Sequence, residues 1–267
     1  MERKVIFKNR SIHYSIHGEG IPVFFLHGFG EDASIWLDLM PYLNKKKTIL
    51  VDLPGSGKSQ ILEDEYTGMS DYADCIQTIA QEEKIQKYVI IGHSMGGYIA
   101  LASLKKHPEK LLAIGLFHSN IYSDQPAKMA SRRKSIEFIK TNGAHAFLQI
   151  SIPPLFHNAS CRSTYIQKLN SSSTQWKKET LIQHYHSIMN RTNSIADLKN
   201  SGIPVLFIIG KHDSTVSFEE SLNQLMCPNE THVAILRNSG HMGMLEETEK
   251  CACVLNNFLT HISSHIL

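Results

Sequence analysis

Ser94, Asp213 and His241 are the residues of this 267-residue chain whose types could together turn a hydroxyl into a nucleophile. Ser94 stands in Gly92-His93-Ser94-Met95-Gly96-Gly97, directly after the apolar run Tyr88-Val89-Ile90-Ile91 and directly before a helical pattern. Strand, sharp turn and helix put the serine at an apex, on a strained backbone that holds its hydroxyl clear of the sheet edge. The helix N-terminus behind it favours developing negative charge. A serine hydroxyl needs a base within hydrogen-bond reach and an acid that orients and charge-stabilises that base. Reactive groups in an open parallel sheet gather at the carboxyl ends of strands. Two further strand ends carry the required types, Lys211-His212-Asp213 and Ser239-Gly240-His241. The expected roles are Ser94 as nucleophile, His241 as general base and then acid, and Asp213 as its buried partner. Two backbone N–H groups are expected to hold the oxyanion: Met95, which follows the nucleophile, and Phe29 in His27-Gly28-Phe29-Gly30. Each such donor is worth about 3 kcal/mol.

These groups meet only if the elements around them form one sheet. Residues 5–7 and 12–16 alternate and read as an opening antiparallel pair. Residues 22–27, 48–51, 88–91, 111–117, 204–210 and 233–236 are apolar runs of buried-strand type. Helical patterns stand between most of them. One begins after Asp32 or Ser34, with Ile35, Trp36, Leu39 and Met40 inward; others cover 71–84, 98–106 and 218–225. Lys45-Lys46-Lys47 reads as a solvated turn. The expected fold is α/β: a mostly parallel eight-stranded sheet with helices on both faces. The rhythm breaks over 119–198, which reads as a helical lid inserted after the sixth strand, leaving 1–118 and 199–267 as the core.

Composition narrows the function. Apolar residues make up 42% and charged residues 19%, and the net charge is +2. This is an ordinary soluble balance, too weakly basic to argue for nucleic acid. No apolar run reaches the ~20 residues of a membrane span, and no apolar segment follows the basic N-terminus as a signal peptide would require. Five scattered cysteines do not make a disulfide framework and point to a reducing cytoplasm. Cys251-x-Cys253 lacks zinc spacing and a second pair, so no metal or other cofactor is expected. Gly57-Lys58-Ser59 resembles the tail of a phosphate-binding loop, but Asp52 stands where that motif needs glycine and Pro54 lacks an N–H. A surface loop is expected there instead.

The order serine, acid, histidine resembles the α/β-hydrolase fold over nearly the whole chain. The resemblance rests on His27-Gly28-Phe29-Gly30, Asp52-Leu53-Pro54-Gly55 with Ser59, Gly92-His93-Ser94-Met95-Gly96-Gly97, Gly210-Lys211-His212-Asp213 and Ser239-Gly240-His241. It departs at Ser56, where relatives often carry histidine. It implies a serine hydrolase that cleaves a small carboxylic ester through an acyl-enzyme. Two alternatives stay open. One is a carbon–carbon bond hydrolase or menaquinone-pathway-type lyase acting on a carboxylated substrate, for which Arg132-Arg133 supply bidentate cations. The other is a non-catalytic ligand receptor on the same fold. Gly28, Trp36, His118, Arg132 and Met242 are the candidate contacts to a small-molecule substrate. The natural substrate and the oligomeric state are not set by the sequence.

Overall fold

The computed structural model describes residues 1–43, 46–64 and 67–265. Eight strands form one sheet: β1 (Glu2–Phe7), β2 (Arg10–His17), β3 (Pro22–Leu26), β4 (Lys47–Val51), β5 (Tyr88–His93), β6 (Leu111–Phe117), β7 (Pro204–Gly210) and β8 (Glu230–Leu236). Their order is β1-β2-β4-β3-β5-β6-β7-β8. The first two pairings are antiparallel and every later one is parallel. Lys8 and Asn9 turn β1 into β2 with both φ angles positive (46° and 61°), the two-residue turn that matches strand twist. The central strands are buried on both faces, which is why they read as unbroken apolar runs.

Chain direction across the sheet reverses after β4, and right-handed crossovers then fix which face each helix covers. Helices α1 (Met69–Glu82) and α2 (Met95–Lys106) pack together, with α2 lying on β5 and β6. The Asp71 carboxylate accepts the Gly68 N–H and closes the first turn of α1. Between β6 and β7 come α3 (Pro126–Ser151), bent at Gly143 (φ 86°), then α4 (Ser163–Ser172), α5 (Lys178–Met189) and α6 (Ile195–Ser201). After β7 follow α7 (Phe218–Asn223), α8 (Gly243–Glu246) and α9 (Thr248–Ser264). Among the described residues no helix is long and apolar enough to cross a membrane.

Three local expectations are corrected. The stretch after Asp32 forms two short 3-10 turns, Ala33–Trp36 and Met40–Tyr42, in place of an α-helix. Pro41 removes a donor and clashes with the preceding turn. Lys46 is not a free solvated charge, since its ammonium donates to Leu259 O and Ser263 Oγ at the end of α9. Lys47 opens β4, and Lys45 lies outside the described residues. The Asp52–Ser59 loop is not a bare surface loop. The Asp52 carboxylate accepts the N–H groups of Ala33 and Lys58, and α5 covers the loop through His184 at Pro54 O (3.1 Å) and Thr180 at Gly55 O (3.3 Å).

The turn at Ser94 depends on two close approaches. A Cβ on Gly92 would lie 2.2 Å from Gly96 O, and one on Gly96 would lie 2.3 Å from Leu26 O. Both obstacles are backbone, which cannot rotate away as a side chain can. Gly92→Ala is therefore expected to lower the unfolding free energy by about 2–3 kcal/mol in urea titration, whereas an unchanged midpoint would mean the turn has slack.

Candidate active site

Ser94 sits between β5 and α2 with φ 49° and ψ −111°, a left-handed conformation that a non-glycine residue adopts only under constraint. Its N–H donates to Phe117 O, and its carbonyl accepts from Ser119 Oγ and Gly97 N–H. These bonds pin the turn to the end of β6. Met95 is the first residue of α2, so its N–H has no intrahelical acceptor. Among the described residues no acceptor takes the Phe29 N–H either. The Phe29 ring stacks on Tyr185 of α5 at 4.2 Å and meets Phe147 of α3 edge-on at 6.2 Å, so the helical insertion grips this loop.

His241 follows β8, and its Nδ1 is 2.8 Å from Asp213 Oδ2. The other Asp213 oxygen accepts the N–H groups of Thr215 and Val216. Burial alone would raise the Asp213 carboxyl, but His241 and His118 beside it outweigh burial and hold it well below the usual carboxylate range. Asp213 is thus an anion fixed by hydrogen bonds at both oxygens, which orients the imidazole with Nδ1 protonated and Nε2 free as a base. The backbone of His241 is equally constrained. Its N–H donates to Leu155 O in the insertion, and the Glu246 carboxylate accepts the flanking Gly240 and Met242 N–H groups. Ser94 and His241 line one cavity of about 310 Å³. Among the described residues Ser94 Oγ and His241 Nε2 form no hydrogen bond, although both residues line this cavity.

Sequence reading missed a second buried network. Glu31 is 6% exposed and His93 is fully buried. Glu31 Oε2 accepts the Gly28 N–H (2.7 Å) and lies 2.8 Å from His93 Nδ1, while His93 Nε2 donates to His241 O (2.9 Å). Burial opposes charge on both groups, yet each favours the other's ion: the Glu31 pKa is lowered and that of His93 raised. Only the imidazolium has two N–H groups for these two acceptors. The pair ties together the loops that carry Phe29, Ser94 and His241.

The remaining candidates separate cleanly. Arg132 and Met242 line the cavity, with Phe29 and Tyr98. Gly28, Trp36 and His118 lie outside it. Trp36 is fully buried between Phe25 (5.2 Å) and Phe117 (5.6 Å), a packing role. His118 is buried, with Gly210 and Gly243 N–H groups 3.1 Å from its two ring nitrogens and Asp213 Oδ2 3.5 Å from Nδ1. Burial pushes its pKa down to about 4, and it packs beside Asp213, outside the residues that line the cavity. Gly28 is walled off by Glu31 and His93. Asp124, which lies in the loop after β6, is held by two guanidiniums, Arg132 Nε at 2.6 Å and one Arg191 Nη at 2.9 Å.

A sequence profile described as the alpha/beta hydrolase fold matches residues 21–135. A thermophilic esterase from Thermogutta terrifontis superposes with TM-score 0.90 over 98% of this chain and 99% of its own, at 23% identity. The chain has the α/β-hydrolase fold. In sequence the chain is similar to a pimeloyl-[acyl-carrier protein] methyl ester esterase of Legionella pneumophila, 34% identical over 102 residues. That match spans 38% of this chain and 39% of the relative's length. An (E)-2-((N-methylformamido)methylene)succinate hydrolase of Acinetobacter baylyi is 22% identical over 91% of both chains. The α/β-hydrolase sheet supplies the three strand ends; the Glu31–His93 pair links the loops beyond them.

Glu31→Gln leaves one His93 proton for two acceptors and is expected to cost about 3 kcal/mol of unfolding free energy. The contribution of His93, whose folded pKa is raised above 6.5, is complete below that pH and fades as pH rises through the folded value. That of Glu31, depressed below 4.5, is complete above 4.5 and is lost as pH falls through the folded value. The deficit of the variant, measured by urea titration across pH, should therefore be largest between these two reference values. A deficit independent of pH would mean the pair is not ionised.

Proposed function

We propose that this chain is a serine hydrolase that cleaves small carboxylic esters through an acyl-enzyme at Ser94. The observation that carries the reading is the meeting, at one cavity, of a left-handed serine and an Asp213-bound imidazole. Ser94 Oγ attacks the ester carbonyl carbon while His241 Nε2 takes its proton. Asp213 stabilises the imidazolium without accepting the proton itself. The Met95 and Phe29 N–H groups receive the charge that develops on the carbonyl oxygen. His241 then returns its proton to the departing alkoxide. Water, deprotonated by the same nitrogen, attacks the acyl carbon, releases the acid and regenerates Ser94. The names of the Legionella and Thermogutta proteins agree with ester chemistry.

Residues 119–198 act in this reading as a lid. Phe147, Leu148, Leu169, Tyr185 and Ile188 from the insertion furnish an apolar wall that excludes water from the acyl group.

One observation favours the narrower alternative of a carboxylated substrate. Arg132 and Arg191 share the single, fully buried Asp124 carboxylate. Two cations on one anion leave a positive charge uncompensated, and Arg132 borders the cavity. A substrate carboxylate would balance it by a charge-assisted bond. The Acinetobacter relative is named for a succinate derivative, an acid of this type.

The reading is tested with short p-nitrophenyl esters. Ser94→Ala should lose about 10⁵–10⁶-fold in kcat, and Asp213→Asn about 10⁴-fold. Rates equal to wild type in Ser94→Ala would defeat the proposal. The substrate class is tested by comparing neutral esters with analogues bearing a distal carboxylate. Arg132→Met should raise KM for the anionic ester by about 10–100-fold and leave the neutral one within about twofold. Equal effects on both esters would assign Arg132 to packing alone.

A further inference from the structure

The last strand and the last helix bring together three groups that the reaction does not use and that do not border the cavity. Glu230 and His232 are two residues apart on β8 and project from the same face of the strand. His261 comes from α9, one turn beyond Phe258, whose ring meets His232 edge-on at 5.1 Å. Both imidazoles aim Nε2 at one oxygen: Glu230 Oε1 is 2.8 Å from His232 and 2.7 Å from His261. The three atoms lie within 4.8 Å of one another. The side chains are between 31% and 45% exposed, so solute ions reach them.

As hydrogen bonds between half-exposed groups, these contacts are worth little, about 0–1 kcal/mol each. As a donor set they are stronger. Two imidazole nitrogens and a carboxylate oxygen converge from two rigid elements, the ligand types that zinc takes in its three-protein-ligand sites. Nitrogen donors disfavour magnesium and calcium, which select oxygen.

We propose that Glu230, His232 and His261 form a binding site for a divalent transition-metal ion of the zinc class, with the remaining position open to solvent. Binding takes the Nε2 lone pairs, so each neutral ring carries its one proton on Nδ1, and any ring that is an imidazolium releases one proton to buffer. The ion clamps α9, which buries Leu255, Phe258, Leu259 and Ile262, to the edge strand β8. It binds the folded state alone and so raises stability by mass action.

The test is calorimetric titration of the tag-free full chain with zinc chloride in a non-coordinating buffer at neutral pH, with thermal melts beside it. Wild type should bind one zinc per chain and melt higher with zinc, and a chelator should reverse the shift. Glu230→Gln, His232→Ala and His261→Ala should each weaken binding by at least about tenfold. His157→Ala should leave it unchanged, although His157 stacks on His212 at 3.5 Å and offers a rival pair of imidazoles. Glu230→Gln is isosteric and lies at the surface, which keeps the test usable if a histidine variant fails to fold. No saturable binding at millimolar zinc would overturn the proposal, as would affinity unmoved by the three substitutions.

Discussion

Glu31 has almost no water to solvate it, and the groups that replace water are parts of three different loops. Its carboxylate holds the Gly28 N–H and the His93 ring, and His93 in turn holds the carbonyl of His241. An unpaired charge at that depth would cost several kcal/mol, so the three loops are obliged to keep their spacing. The distances that matter for chemistry follow from this obligation. Phe29 is one residue from the Gly28 donor, Ser94 is one residue from His93, and the His241 ring leaves from the same residue whose carbonyl is held. The Asp213 side chain then fixes the remaining freedom of that ring.

Strand-end residues line the cavity on one side, and residues of the insertion line it on the other. Their junction is made of specific contacts. Phe29 is stacked by Tyr185, the His241 N–H is taken by Leu155 O, and the Asp52 loop is capped by α5. Phe29 and His241 are each tethered to the insertion, so movement of these helices would be felt at both residues. The same helices bring Arg132 to the cavity, where the Asp124 cluster leaves an excess of positive charge. The cavity thus has apolar walls and one cationic corner.

The parts of this arrangement visible in the sequence are those fixed by backbone rules. Apolar runs ending in Gly-x-Ser-x-Gly, Lys211-His212-Asp213 and Ser239-Gly240-His241 placed three side chains at three strand ends, because parallel strands must all end on one edge. Glu31 escaped notice because it follows the glycine loop and precedes Asp32, a place where a carboxylate ordinarily meets solvent. His93, next to Ser94 in the chain, carries no signal in the sequence for its part as the link between loops. Trp36 and His118 were plausible substrate contacts by position, but burial gives each a packing or supporting role. The failed helix after Asp32 turned on Pro41, whose cost to a helix interior outweighed the apolar spacing around it. The Glu230, His232 and His261 cluster was hidden because it joins a strand to a helix some thirty residues later.

The central claim is that Ser94, alone among the serines, is made nucleophilic by its setting. Intact-mass and peptide mapping after exposure to a fluorophosphonate tests this directly, since that reagent phosphonylates an activated serine hydroxyl and displaces fluoride. The account predicts one adduct per chain, located on Ser94 and abolished in Asp213→Asn by slowed labelling. An adduct on another residue, or none on folded wild-type protein, would contradict it.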